Sequence, residues 1–492
     1  MLPTLLVGAR RVGIALLAAQ LVVMVGFSTL LYHRYDLTQD YAQYAQAWYA
    51  IAHGHLNPYD SVFHYPFWQN SGELVLWPLA LLYFVVPHGI DLLVVQDLMV
   101  VGSELVAFLW VIDVLQRARP ALSTRAGAVA TVAVAVALVA DPWVYNTIAF
   151  DFHTEPLAAF FIVLAGRDLW RGRHRRLVWW VIGALACNAL AGLYLAAIGI
   201  SGLLTGHGRR LPGAALVVVG LAWLATFSAL GGHLGAADAA STYGYLITRP
   251  AAHRTLFPLA VGALTHPGAV LAHVADRWPY LLVYLGPLGL VGIVSPWALP
   301  IIAAVFLPSM LAASPLFIRV LASFQQWPAL PFALVGSVMV LVGLRRWRFG
   351  SRIVRGAVVL WATMLVLIAA VELPGIPAYW VADTPAAAAD LAHLHATITP
   401  TAEVIASQGV AGRFAGRADI ETYINPPKSF PITAHTVVFI ITATQGVGEP
   451  SPAATQAAIT VIEHLGARPI LARHGIDAFI WHPVHQRRIV LP

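Results

Sequence analysis

The sequence predicts a polytopic α-helical membrane protein of about eleven spans that carries a C-terminal α/β domain outside the bilayer. Composition is the first ground: 59% of the residues are hydrophobic, 11% are charged and mean hydropathy is +0.74. The second is that membrane-length apolar runs recur up to about residue 372 and then give way to alternating strand and helix patterns. The third is the sorting of charge. Short arginine clusters fall between alternate runs, whereas acids gather in the loops on the other side.

The spans follow in order when the arginine clusters are assigned to the cytoplasm. A run from about Val12 to Tyr32 leaves after Arg10 and Arg11. It is longer than a signal-peptide core, lacks a clear cleavage site and reads as a retained anchor. Ile90 to Leu115 returns to Arg117 and Arg119, Ala126 to Ala140 exits to Asp141-Pro142, and Pro156 to Ala165 returns to Arg167 and the cluster Arg171 to Arg176. A tight pair fills Leu177 to Leu204 and turns near Cys187-Asn188. Leu211 to Leu230 exits into a long polar segment that reaches Arg277. Tyr280 to Val294 and Trp297 to Ala313 follow, then Pro328 to Leu344 returns to Arg345, Arg346 and Arg348, and Ile353 to Val371 exits. Leu74 to Val86 is too short to span and reads as a re-entrant or surface helix within the first outer loop, 33–89.

This assignment places the N-terminus inside and residues 373–492 outside, in a multi-pass protein of a bacterial cytoplasmic membrane. Asp36, Asp40, Asp60, Glu73, Asp151 and Glu155 all fall on the outer side, and the spans read as nearly free of acids. In the C-terminal domain, 386–396 and 453–465 are helix patterns. Val404 to Ser407 and Thr436 to Thr442 read as buried parallel strands, and 469–472 and 478–481 as further strands. The single cysteine, Cys187, excludes a disulfide framework and a thiol metal site. The net charge of +6 comes almost wholly from arginine topology signals and does not call for nucleic acid.

Two polar segments carry the candidate chemistry. The first runs from Arg34 to Trp48, where Asp40 is held at the bilayer surface ahead of a helix of Gln, Tyr and Trp. It is the leading candidate for a reacting group, and equally a helix cap. Asp36 has Arg34 beside it as a salt-bridge partner, and Tyr41, Tyr44 and Trp48 read as interfacial belt residues. His53, His55 and His64 read as surface histidines. The second is Phe150-Asp151-Phe-His153-Thr154-Glu155-Pro156. Asp151, His153 and Glu155 suit a substrate's polar groups, and Asp151 with His153 suits a divalent cation such as Mg or Mn. The same residues also suit a helix N-terminus capped by Thr154. The outer arginines Arg249, Arg254, Arg277 and Arg319 run against the positive-inside bias and call for a local anion or lipid headgroups. Gln325-Gln326-Trp327 has sugar-binding character, with anchoring of the Trp in the interface as the alternative.

These motifs resemble the membrane family known as domain of unknown function 2079, grouped with GT-C-type glycosyltransferases. The matching pieces are Gln39-Asp40 through Gln46-Ala-Trp48, Ala52-His53-Gly54, Phe150-Asp151-Phe152-His153-Thr154-Glu155, Ser314-Pro315-Leu316 and Ile398-Thr-Pro400. The chain departs from the family pattern at Thr154, where a Pro is usual, and at Cys187-Asn188-Ala189, where Lys-Glu-Asp is usual. The resemblance implies a GT-C-like bundle that transfers a sugar, with inversion, from a polyprenyl-phosphate donor to a glycan, lipid or protein acceptor at the outer face. It implies Asp40 as base, Asp151, His153 and Glu155 orienting the acceptor or a cation, and an outer arginine facing the leaving phosphate. Such chemistry needs no soluble nucleotide, and the sequence has no P-loop. The rival readings are a transporter or flippase of a lipid-linked substrate, and a non-catalytic scaffold in envelope assembly.

Overall fold

The computed structural model describes residues 2–69, 72–118, 124–230, 242–246, 256–314, 318, 323–345, 350–424, 428–442, 450–484 and 488–492. Helix α1 (Leu2–Arg34) leads into α2 (Gln39–Ala52), and a short α3 (Leu76–Leu79) continues as a 3-10 turn to Phe84. The bundle then adds α4 (Ile90–Arg117), α5 (Thr124–Val139), α6 (Pro142–Ala149), α7 (Thr154–Arg171), α8 (His174–Cys187), α9 (Ala191–Thr205) and α10 (His207–Leu230). Beyond these lie α11 (Leu256–Thr265), α12 (Pro267–Leu285), α13 (Leu299–Leu311), α14 (Ser323–Gln326), α15 (Leu330–Leu344) and α16 (Gly350–Glu372).

Among the described residues, six helical stretches are long and apolar enough to cross a membrane: 5–34, 90–117, 124–149, 208–227, 323–344 and 350–380. The apolar α9 and α13 are shorter. The run expected at Tyr280 to Val294 is not one α-helix. Its α-helical part starts earlier, at Pro267, and beyond Leu285 the chain turns through 3-10 segments at Gly286–Leu288 and Leu290–Val294. Pro287 has no N–H to continue the ladder, and Gly289 sits at φ +92, a conformation that side chains disfavour.

Charge is sorted along the helices as the sequence suggests. At the C-terminal end of α7, Arg167 and Arg171 hold Asp113 of α4 at 2.9 and 2.6 Å. Arg117 stacks 3.7 Å from the Trp170 ring, and Arg209 donates to the Trp170 carbonyl at 2.8 Å. The N-terminal ends of α4 and α7 lie by the acid-bearing loops. Each helix therefore runs from an arginine cluster to an acidic one, about 27 Å apart for the 18 residues of α7.

The expectation that the spans are nearly free of acids is overturned in α4. Asp97 and Glu104 are both fully buried there, and their seven-residue spacing puts both against α1. Ser28 of α1 donates to Asp97 at 3.1 Å, and Gln20 to Glu104 at 3.4 Å. Two acids two turns apart barely lower the hydropathy of a 28-residue run, so the run hides them.

After α17 (Gly375–Trp380) and α18 (Pro385–Thr397), the C-terminal region forms a five-stranded sheet of order β4-β3-β6-β8-β7. Its strands are β3 (Glu403–Ser407), β4 (Ile420–Tyr423), β6 (Val437–Thr442), β7 (Arg468–Arg473) and β8 (Ile476–Trp481). β3 pairs in parallel with β4 and β6, as fully buried apolar strands do, while β8 runs antiparallel to β6 and β7. Helix α19 (Pro452–His464) follows β6, and β5 (Lys428–Pro431) pairs with β9 (Arg488–Leu491) in a separate ribbon.

This sheet rests on α2. Gln46 donates to Ser61 Oγ at 2.8 Å and to the Ala418 carbonyl at 2.5 Å, Ser61 Oγ bridges to both backbone groups of Ile420, and Gly412 N–H donates to Leu37 O at 2.9 Å. Gly412 allows that approach, because a Cβ there would stand 2.6 Å from Leu37 Cβ. Tyr41, Tyr44 and Trp48 are consequently not interfacial belt residues. They are 1%, 3% and 2% exposed beneath the sheet and the 76–84 segment, with Trp48 donating to Leu79 O at 3.0 Å.

Replacing Gln46 with Ala strands the Ser61 N–H and the Ala418 carbonyl. A loss of about 1–3 kcal/mol at this seam is expected. Limited proteolysis of the purified protein should release the C-terminal region at a lower temperature than in wild type.

Candidate active site

Helix α2 needs acceptors for its first N–H groups, and it takes them from two chain segments. Thr38 is its N-cap, with Oγ1 accepting from Asp40 N–H at 3.2 Å. Asp151 reaches over from the loop before α7, and its Oδ2 accepts from Thr38 N–H at 2.9 Å, Thr38 Oγ1 at 2.5 Å and Tyr41 N–H at 3.4 Å. A residue 110 positions away thus completes the cap. Asp151 does this from φ +56, a left-handed backbone that is uncommon outside glycine and needs outside support.

Gln96 of α4 supplies that support. Its Nε2 donates to the Asp151 carbonyl at 2.7 Å and its Oε1 accepts from His153 N–H at 2.6 Å, so one buried amide clamps the loop from both sides. With the loop held, His153 Nε2 stands 3.5 Å from Asp40 Oδ2. The His153 ring lies flat on Phe324 of α14, has Phe150 on the same aromatic wall and meets Tyr44 edge-on. Tyr44 in turn donates to Glu73 at 3.0 Å. The histidine side chain is 6% exposed, while the Asp40 carboxylate is 26% exposed. Of the pair, Asp40 is the group that an incoming molecule can reach.

Electrostatics follow from burial. Burial pushes the Asp151 carboxyl up to about 6, against the Thr38 hydroxyl, and the charge of Asp40 adds to the rise. Burial alone would lower His153, but its contact with Asp40 and the charges of Glu155 and Asp151 outweigh that and hold it above its ordinary value. Glu155, in the first turn of α7, faces the charges of both His153 and Asp40, with Oε2 buried and unpartnered among the described residues.

Thr154 is not the cap of α7. His153 takes the N-cap place without a side-chain bond, and Thr154 Oγ1 accepts from Asn188 Nδ2 at 3.4 Å. Asn188 also caps the start of α9 by accepting from Ala191 N–H at 2.9 Å. Thr154 and Asn188, both departures from the family pattern, therefore meet in space.

Several other expectations are corrected. Asp36 forms no ion pair with Arg34 among the described residues. Its Oδ1 accepts from Ala382 and Asp383 N–H at 3.0 and 2.9 Å, Arg34 donates to Asp383 O, and burial raises the Asp36 carboxyl to about 7. Arg277 offers nothing to an anion. It is buried and donates to the carbonyls of Met310, Ala312 and Ala313, which closes the C-terminal end of α13. Gln326 is fully buried and donates to Ser309, and Trp327 points inward to Ser103, so Gln326-Trp327 is no open sugar platform. Gln325 is half-buried. Arg249, Arg254 and Arg319 lie outside the described residues.

The fit of Asp151 and His153 to a divalent cation is poor. Asp151 Oδ2 is taken by three donors of α2 and its cap, and His153 Nε2 faces Asp40. Among the described residues no group of three or more His, Cys, Asp and Glu is placed to hold an ion. Gln96 carried no signal in the sequence, being a lone amide in an apolar run, and Phe324 adjoins the Gln325-Gln326-Trp327 cluster but is not read with it.

The raised His153 fixes the sign of a pH effect. Its pairing with Asp40 contributes stability that is full below pH 6.5 and is lost as pH rises through the higher folded value. Melting temperature should therefore fall as pH rises above 6.5, and Asp40→Asn should flatten that fall. An unchanged slope in the variant would remove the pair as its cause.

The comparisons with known proteins bear on this arrangement. A family profile described as Predicted membrane protein (DUF2079) matches residues 29–453. No curated protein matches the sequence. Similar solved structures include two of one protein. One is ArnT from Cupriavidus metallidurans bound to undecaprenyl phosphate, at 14% identity, 93% coverage of this chain, 97% of that chain and a TM-score of 0.46. The other is the same protein in the apo state, at 14% identity, 94% and 98% coverage and a TM-score of 0.44. The profile match takes in α2, the Asp151 loop and the sheet as far as β6, and the chain belongs to the DUF2079 family of predicted membrane proteins.

Proposed function

We propose that the protein is a membrane glycosyltransferase of the GT-C type that uses a polyprenyl-phosphate sugar at the outer face, with Asp40 as base. The observation that carries the reading is the half-open Asp40 carboxylate 3.5 Å from a buried His153, at the acidic end of the bundle beneath the C-terminal sheet. Held above its ordinary value by its contact with Asp40, His153 is a protonatable partner beside the carboxylate, an arrangement that suits a base.

In the proposed reaction the acceptor hydroxyl attacks the anomeric carbon from the face opposite the lipid phosphate. The new carbon–oxygen bond forms as the old one to phosphate breaks, and the configuration inverts. The hydroxyl proton passes to Asp40, and the bond pair leaves with the polyprenyl phosphate. Glu155 is proposed to orient the acceptor, and His153 acts through Asp40 by holding its carboxylate. Arg249, Arg254 and Arg319 are proposed to face the phosphate, and Gln325 the sugar. Asp151 acts through α2 by setting where Asp40 stands. No step is assigned to a metal ion.

One observation favours a second reading. Asp97 and Glu104 inside α4 are the kind of buried acids that ion-coupled transporters use. Purified protein given radiolabelled polyprenyl-phosphate sugars and an acceptor mixture distinguishes the two. Transfer should occur and drop by about 10²–10⁴-fold in an Asp40→Asn protein that remains folded at the assay temperature. In proteoliposomes, uptake of the lipid-linked sugar that Asp97→Asn abolishes, without any transfer, would replace this proposal with the transporter.

A further inference from the structure

At the arginine end of the bundle, α5, α15 and α16 do not close on one another. A cavity of about 590 Å³ opens between them, lined by apolar residues of these helices with Leu115 of α4 and, at its rim, Arg345. The volume is within the range of sites that hold a small ligand. Its shape has a local cause. Ala126, Ala130, Ala133 and Ala137 line one wall of α5, four small residues at helical spacing that leave room where larger side chains would fill it. Trp361 lines the facing wall, with its indole N–H donating to Pro287 O at 2.7 Å. Helix α16 is lipid-facing, since none of its most apolar window is buried.

Charge at the rim selects what enters. Several arginines of this end are engaged: Arg167 and Arg171 by Asp113, Arg117 by Trp170, and Arg209 by a carbonyl. Arg345 at the cavity, Arg125 at the start of α5 and Arg352 at the start of α16 take no carboxylate partner among the described residues. No lining residue is acidic. A cation lining an apolar slot within the bilayer, with two more at the starts of the flanking helices, suits a molecule with a phosphate head and a hydrocarbon tail.

We propose that this groove is a binding site for an anionic glycerophospholipid, with an acyl chain between α5 and α16 and the phosphate at Arg345. The site is at the opposite end of the bundle from Asp40 and does not depend on glycosyl transfer. The lipid would act as a wedge that holds the lipid-facing α16 at its distance from α5.

The test is native mass spectrometry of the full-length protein in detergent, with phosphatidylglycerol and phosphatidylcholine of identical chains added in turn. Retention should favour phosphatidylglycerol. Arg345→Gln should weaken that retention about fivefold, the worth of one basic residue at an anionic leaflet, while Arg176→Gln on α8 leaves it unchanged. Ala133→Trp should remove both lipids by filling the slot. Equal retention of the two lipids, or an Arg345→Gln protein that matches Arg176→Gln, overturns the proposal whether or not the tryptophan variant folds.

Discussion

The arrangement depends on one contact between distant parts of the chain: the Asp151 carboxylate capping the N-terminus of α2. A helix end at a membrane surface leaves N–H groups that need an acceptor, and water is scarce beneath a docked domain. By supplying the acceptor from the loop before α7, the protein ties the first acid-bearing segment to the second. Asp40 lies in the first turn of the helix so fixed, and His153 lies two residues beyond the cap. The separation of these two side chains is therefore a consequence of the capping geometry, with Gln96 holding the loop in its left-handed turn.

The same logic explains why the C-terminal sheet belongs to the site. Helix α2 is rich in aromatic and amide side chains, which on an open membrane surface would lie in the headgroup region. Here Tyr41, Tyr44 and Trp48 are buried, and Gln46 joins the first loop to the sheet through Ser61 and Ala418. The sheet thus roofs α2, and Asp40 stays partly open at the edge of that roof. Inside the bundle, Ser28 with Asp97 and Gln20 with Glu104 set the register of α1, the helix that leads into the Thr38 cap, against α4, the helix that carries Gln96.

What was legible in the sequence is what repeats or clusters. Long apolar runs, alternating arginine clusters and the strand-helix alternation after residue 373 each leave a periodic trace, and the helices at 385–397 and 452–464 fall within a residue or two of their expected places. The Asp40 and Asp151-His153 segments were legible as polar exceptions at the ends of apolar runs. Side-chain purpose was less so. Arg277 read as an anion ligand because a cation on the acidic side is unusual, yet its donors close a helix end. Gln326 and Trp327 had the composition of a sugar platform but face inward. Gln96 was invisible, since one amide in an apolar helix has no pattern until its partners are in place. Asp97 and Glu104 were hidden for the opposite reason, because the many apolar neighbours in the 28-residue helix outvoted them in hydropathy.

The central claim is that the two acid-bearing loops are one energetic unit through the Thr38–Asp151 contact. A double-mutant cycle with Thr38→Val, Asp151→Asn and both together, read by thermal or denaturant unfolding of the purified protein, measures it directly. A coupling of roughly 0.5–3 kcal/mol is the expected result. Strict additivity of the two substitutions would mean that the loops do not hold each other, and the account of how Asp40 is placed would fail.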